Sequence, residues 1–445
     1  VVANRGGPFP AHIVLESLGQ IGRSSKEAGE AIGHKGIGFK STLEISAAPE
    51  IYSDFSQGSP ELAVRFDAEL ARDAIRAESP TWDDWVAEQR EFQDCALNAV
   101  PILRYPVWVE DVPELVSELG REGYDTVVRL SHSATLGSRE EWVAKVRASM
   151  DDISDQILVL LRIFNSIRIE DRIAGTVQAI SMSIDSRSTV HGMQVEHISI
   201  RRDGMASSNW VRYHRQLEDN GDLASEVTSA FRLDADDPRV PVNAHDDPEA
   251  SSPFHLFFPT RIGSGLPFLI HGYFEVDAAR TGFYTGSMET NQLIMDALAD
   301  LVIEAVDHLT ETHEDLDLLA LAELVATSPT PETPLARHFY SRVLDGLDPV
   351  TWLPGAPGSP RRVAPVTLLP SNRDVTAALL ATFPVDYLRT RSGCEIAHPD
   401  LATEVHRFLE ERREDSESLW EALHQILRPG SSSPWPSDAV ADGHF

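Results

Sequence analysis

The stretch with the most chemistry per residue is Ile32–Ser41, read Ile-Gly-His-Lys-Gly-Ile-Gly-Phe-Lys-Ser. Gly33, Gly36 and Gly38 let backbone amides approach an anion without a Cβ in the way. Lys35 and Lys40 supply cations beside them. A helix beginning near Gly38 would add its first N–H groups and its dipole to the same anion. This is the chemistry of a phosphate cradle. The spacing is neither that of a P-loop nor that of a Rossmann turn. A purely structural glycine turn is the alternative reading of the same residues.

Other constellations offer less. The histidines, among them His34, His132, His197, His214, His255 and His271, show no metal-ligand spacing. Cys95 and Cys394 stand alone, so neither a zinc site nor a disulfide framework is expected. No Ser lies in a nucleophile elbow. The acidic pairs Asp151/Asp152 and Asp246/Asp247 read as solvated caps or loops. Trp210 and Tyr213 read as strand-face aromatics of a core.

These residues must be held by folded elements, and 445 residues suffice for two to four domains. With 38 Lys+Arg against 70 Asp+Glu the net charge is −32, which disfavours a surface tracking nucleic-acid phosphates. No apolar run reaches the roughly 20 residues of a membrane span, and a cytoplasmic protein is expected. The pattern predicts three segments. The first, 1–173, mixes strands and helices: the end of a buried strand at Val1–Ala3, a helix or turn over Phe39–Ser46 passing into a strand that ends before Pro49, a strand at Thr126–Leu130, and helices at Phe9–Leu18 and through Glu61–Leu97. Ser154–Ile169 reads as a buried helix running into a strand. The second segment, 174–327, has strand alternation at Val177–Ile184, Met193–Arg201 and Trp210–His214, then strands at Phe254–Phe258 and Phe268–Val276. A long amphipathic helix follows at Asn291–Leu309. The third, 335–445, reads as a mixed, largely helical extension whose Glu410, Glu411, Arg412 and Arg413 should lie on a solvated face.

The order of strand, Asn4-Arg5-Gly6-Gly7-Pro8-Phe9, helix, Ile21–Lys26 and second glycine cluster resembles the Bergerat-fold (GHKL) ATPase superfamily. The wording of Gly36–Ser41 and of Pro49-Glu50-Ile51-Tyr52-Ser53 is similar to modules of the sacsin and ninety-kilodalton heat-shock-chaperone type. The resemblance implies an α/β sandwich that binds ATP with Mg²⁺, then a chaperone-like α/β middle domain. Asn4 stands where the family has the Asp that accepts the adenine amino group, and Gly6 completes that turn. Thr126 matches the strand Thr supporting adenine, with Asp125 replacing a Gly. Gly33, Lys35, Gly36, Gly38, Phe39, Lys40 and Ser41 would surround the phosphates; Gly22, Ser25 and Lys26 would belong to a lid. Arg280, in Phe274–Arg280, matches the middle-domain Arg that reaches the γ-phosphate, and Phe257–Pro267 and Asn291 are similar to the same region.

The resemblance implies a conformational switch that hydrolyses ATP and couples nucleotide state to a client or partner subunit, a second copy of the chain included. It also implies a helix carrying a catalytic Glu and a Mg²⁺-binding Asn, expected before residue 1, because the chain begins within a strand; ATPase activity is expected only with that helix. Two other readings stay open: a scaffold module without turnover, motivated by Asn4 in place of a carboxylate, and a sensor or effector subunit of a bacterial defence assembly.

Overall fold

A computed structural model describes residues 1–13, 39–89, 96–132, 137–217, 225–244, 252–277, 279–327, 330–369, 373–412 and 417–427. The chain is mixed α/β and divides into two compact units, Val1–Ile153 and Ser154–Phe445.

The first unit is built on five antiparallel strands: β1 (Val2–Asn4), β2 (Glu50–Ser53), β3 (Leu62–Arg65), β4 (Val107–Trp108) and β5 (Thr126–Arg129), in the order β1-β5-β2-β3-β4. Both faces are covered, as the two-residue alternation requires. Ile51, Leu62, Val64 and Phe66 pack on one side with Phe9 and Phe39. Tyr52, Ala63, Val116 and Val127 pack on the other. Helices α1 (Ala11–Ile13), α2 (Ala68–Glu78), α3 (Trp82–Glu88), α4 (Glu114–Arg121) and α5 (Arg139–Asp151) surround the sheet. Asp67 starts α2 by accepting from the Glu69 and Leu70 amides, and Ser138 with Glu141 forms a capping box on α5.

Three sequence expectations change here. Residues 40–44 form a short 3₁₀ helix, and the strand begins after Pro49 rather than ending before it. Proline has no N–H for a ladder and is tolerated at a strand's beginning. The Glu61–Leu97 stretch opens with β3 before turning helical, because Leu62–Val64 are buried on both faces of the sheet. β1 is the edge strand and half-exposed, not buried.

The second unit is built on a nine-stranded sheet. Its strands are β6 (Ser166–Asp171), β7 (Thr176–Val190), β8 (Met193–Arg202), β9 (Met205–Leu217), β10 (Ser225–Leu233), β11 (Pro241–Val242), β12 (Pro253–Leu256), β13 (Phe258–Gly263) and β14 (Leu269–Gly272). They run β13-β12-β14-β10-β9-β8-β7-β6, with β11 on β10 and a single parallel pair, β12 with β14. β6 and β7 form a hairpin across residues 172–175. The helices are α6 (Gln156–Leu160), α7 (Met288–Thr312), α8 (Leu318–Thr327), α9 (Pro334–Leu347), α10 (Arg373–Thr382), α11 (Val385–Ser392), α12 (Thr403–Glu411) and α13 (Glu417–Leu427). α7 lays Ile294, Leu298, Leu301, Val302, Ala305 and Leu309 into one core with Val195, Val211, Val227, Phe231 and Ile270 of the sheet. α9 packs behind it, and a Cβ on Gly346 would lie 2.1 Å from Ile303 Cδ1, so glycine permits the close approach.

Leu335, Phe339, Val343, Val405 and Leu409 belong to that same core, so the part of 335–445 they represent is built into the unit of α7. Arg412 is not a solvated residue: its guanidinium reaches Asp345 at 2.9 Å and Asp348 at 3.1 Å. The helical spacing alone could not show that α9 and the residue capping it, Asp348, bring two acids to its face. Arg413 lies outside the described residues.

Candidate functional site

At one end of the first sheet, three of the sequence-predicted residues come together. Asn4 and Thr126 are register partners across the β1–β5 ladder. The Asp125 amide donates to the Asn4 carbonyl at 3.0 Å, closing the ladder where β1 ends. Gly6 follows immediately, and a Cβ placed on it would lie 3.9 Å from Asn4 Nδ2.

The turn after β1 is held by Asp125. One of its carboxylate oxygens accepts from the Gly6 amide at 2.9 Å and the Gly7 amide at 3.2 Å. Gly7 has φ +99°, a backbone state that glycine adopts without cost. The two amides, Gly6 first, hold the Asp125 carboxyl below its usual range. Arg5 completes the clamp by donating to the Glu122 carbonyl and stacking 4.6 Å over the Tyr124 ring.

Behind this rim, Thr126 is buried against Ser53 of β2, with the hydroxyl oxygens 2.8 Å apart. Ser53 Oγ also accepts from the Phe9 amide at 2.6 Å and donates to the Asp125 carbonyl at 3.1 Å. A serine has one proton. With that proton on Asp125, Thr126 must donate its own to Ser53. The Thr126 oxygen is then left with acceptor capacity, which an exocyclic amino group or a water could use.

Ser53 was not among the sequence-predicted site residues. Its signals were its place at the end of an apolar strand and in the Pro49–Ser53 stretch that carries the resemblance, and neither marked it as a site residue. The remaining predictions divide. Phe39 caps the 3₁₀ helix Lys40–Glu44, and its ring lies 5.2 Å from Phe66. Lys40 and Ser41 open that helix, whose five residues align few peptide dipoles. Gly22, Ser25, Lys26, Gly33, Lys35, Gly36 and Gly38 lie outside the described residues, as do Asp246 and Asp247.

Arg280 belongs to the second unit. Its guanidinium donates to the Leu256 and Phe258 carbonyls, both at 2.8 Å, and its own carbonyl accepts from the Arg261 amide. It thereby braces the turn at Phe257, which has φ +62°. Asn291, singled out with it, is buried and pairs with both main-chain groups of Glu275.

The second unit also carries polar residues that the sequence did not mark. Glu196 and Arg212 form an ion pair in which each side chain is 1% exposed. Arg187 adds a bond to Glu196 at 2.6 Å, and Arg212 reaches the Val159 carbonyl. Burial opposes the charge on Glu196, but the two arginines outweigh it and keep the carboxyl below its usual range. Beside them Arg162 bonds Glu226 at 2.8 Å and His214 Nδ1 at 3.3 Å, while His214 Nε2 bonds Gln194 at 2.7 Å. His214 is therefore neutral, with its proton on Nε2. Burial first, then Arg162, pushes its pKa down to about 4.

On the opposite sheet face, a cavity of about 410 Å³ is lined in part by Asp185, His197, Ser199, Asn209, Arg239 and His313. His197 and His313 face each other with ring centroids 5.2 Å apart, and burial lowers both. Among the described residues no group of three or more His, Cys, Asp or Glu could hold a metal ion. Among them, too, no helix is long and apolar enough to cross a membrane. Trp210 and Tyr213 are core residues, as their spacing predicts.

Comparison with family models, with curated proteins and with solved structures found no match.

Proposed function

We propose that the chain is an ATP-binding conformational switch of the Bergerat type, with adenine at the rim formed by Asn4, Gly6 and Thr126. The observation that carries this reading is the pairing of Asn4 with Thr126. The family resemblance implies that both residues serve one adenine site, although they lie far apart in the first segment. Neither residue type nor local spacing demands that they meet. The Asn4 amide oxygen can accept from the adenine amino group in place of a carboxylate. Mg²⁺ would accompany the phosphates. In this reading Gly33, Gly36, Gly38 and Lys40 bind them, Gly22–Lys26 closes over them, and closure alters affinity for a client or partner subunit.

Titration calorimetry with ATP and Mg²⁺ tests the assignment. Binding should weaken at least several-fold in Gly38→Ala and Lys40→Ala; binding unchanged in both, or absent from the unmodified chain, removes the assignment. The same titration with GTP reports whether Asn4 reads adenine.

A second reading, a binding module without turnover, is favoured by two observations. Arg280 spends one amino group of its guanidinium on two main-chain carbonyls, and Asp125 already fills the Gly6–Gly7 turn with an anion. Phosphate release measured beside ATP binding separates the two: binding with no release selects the module.

A further inference from the structure

We infer that β6 is a self-pairing edge through which two copies of this chain join their nine-stranded sheets antiparallel, about a two-fold axis at Ile169. This inference is independent of the nucleotide reading.

β6 ends the strand order, and no strand among the described residues lies beyond it. Its inward side is known from the ladder. The Met182 amide donates to the Asn165 carbonyl at 2.8 Å, in the register that pairs Ile167 with Ile180 and Ile169 with Gln178. In an antiparallel pair these hydrogen-bonded positions alternate with outward ones. Ser166, Arg168 and Glu170 therefore point their N–H and C=O groups away from β7, and all three residues are exposed. An edge of this kind is a template for strand addition.

Charge chooses the occupant and the register. Arg168 and Glu170 lie on one face of the strand and pair with each other at 2.5 Å. Centring a two-fold on Ile169 sets Arg168 of each copy opposite Glu170 of the other, as an outward pair that exchanges two backbone hydrogen bonds. Centring on Arg168 or on Glu170 opposes like charges, which is destabilising for directly facing positions. Of the two-folds centred on Arg168, Ile169 and Glu170, only the one at Ile169 makes the edge self-complementary, as a two-fold contact demands.

Exposed apolar side chains at both ends of β6 fit the same register. Ile173 is 70% exposed and Ile163 is 63% exposed. Pairing about Ile169 carries Ile173 of each copy alongside the Ile163–Asn165 segment of the other, so both ends gain apolar cover. The contact is one strand wide, so the dimer should be weak and concentration-dependent.

Sedimentation equilibrium on the full chain tests this. Self-association should be detectable by about 100 μM, the scale expected of a small interface. Arg168→Glu and Glu170→Arg should each weaken it about tenfold by opposing like charges in both symmetry-related pairs. Mixing these two variants should restore association, because one then presents two acids to two bases. Arg168→Pro removes the guanidinium and an outward N–H but no N–H bonded to β7, so it should abolish association with the far-UV circular dichroism unchanged. A chain that stays monomeric at the highest concentration, its edge being covered by another segment of itself, overturns the inference. So does association that the charge variants leave unchanged, or a mixture that does not re-associate.

Discussion

The hydroxyls of Ser53 and Thr126 lie 2.8 Å apart on neighbouring strands, and Ser53 also receives the Phe9 amide from the segment that follows β1. One serine thus ties β2, β5 and the post-β1 turn together. Thr126→Val keeps the shape and deletes the donor. It should cost about 1 kcal/mol in urea unfolding, the usual net value of a buried hydrogen bond. It should also weaken ATP binding, while Thr126→Ser restores both.

Glu196 and Arg212 set the second expectation. Each is 1% exposed, and removing one partner leaves the other charge buried. Glu196→Gln should lower unfolding free energy by about 3 kcal/mol, within the range for breaking a buried pair. Replacing both by apolar residues of similar volume should recover much of that loss. A single variant as stable as the parent would show that the Val159 carbonyl suffices to hold Arg212 and its charge.

His271 of β14 gives a pH dependence with a definite sign. It is buried between Phe257 and Tyr273, and its ring nitrogens have no hydrogen-bond partner among the described residues. Burial first, then His255 and Arg162, pushes its pKa from 6.5 down to about 3. Above pH 6.5 neither the folded nor the unfolded chain binds the proton. Between 6.5 and about 3 the unfolded chain binds it and the folded chain does not. Stability is therefore full above 6.5 and falls as pH drops, by about 1.4 kcal/mol per unit from this residue. His271→Leu should remove about 2 kcal/mol of the difference in unfolding free energy between about pH 7.5 and about pH 5. Chemical denaturation at the two pH values measures it.

Arg280 bridges the Leu256 and Phe258 carbonyls. Arg280→Ala should lower stability by about 2 kcal/mol, as for hydrogen bonds to a charged group, with or without ATP. Thermal unfolding in both conditions reads this. A variant with unchanged melting and reduced phosphate release would instead assign Arg280 to the nucleotide.

Much of the architecture was legible where periodicity is strong and long. Thr126–Arg129, the first half of β7, β8 and α7 all follow from the spacing of their apolar residues, because one buried face imposes a repeat on the chain, whereas the exposed second half of β7 carries no such repeat. Asn4, Gly6 and Thr126 were singled out only through the resemblance to a family, and Ser53, which lies behind them on Thr126, was not singled out as a site residue. A serine ending an apolar strand looks alike whether it meets solvent or a threonine.

By itself, then, the sequence determined the classes of element, the glycine-rich composition of Ile32–Ser41 and the net charge of −32. These depend on residue type and on neighbours a few positions away. The tertiary structure alone decided which polar residues are buried and with whom: Glu50 among Arg65, Arg129 and Tyr52, Glu196 with Arg212, Arg412 on Asp345 and Asp348. A charged residue at an alternate strand position or on a helix stripe carries the pattern of a solvated one. Whether it faces water depends on the element that covers it, and in these cases that element, or the partner itself, often comes from a distant part of the chain.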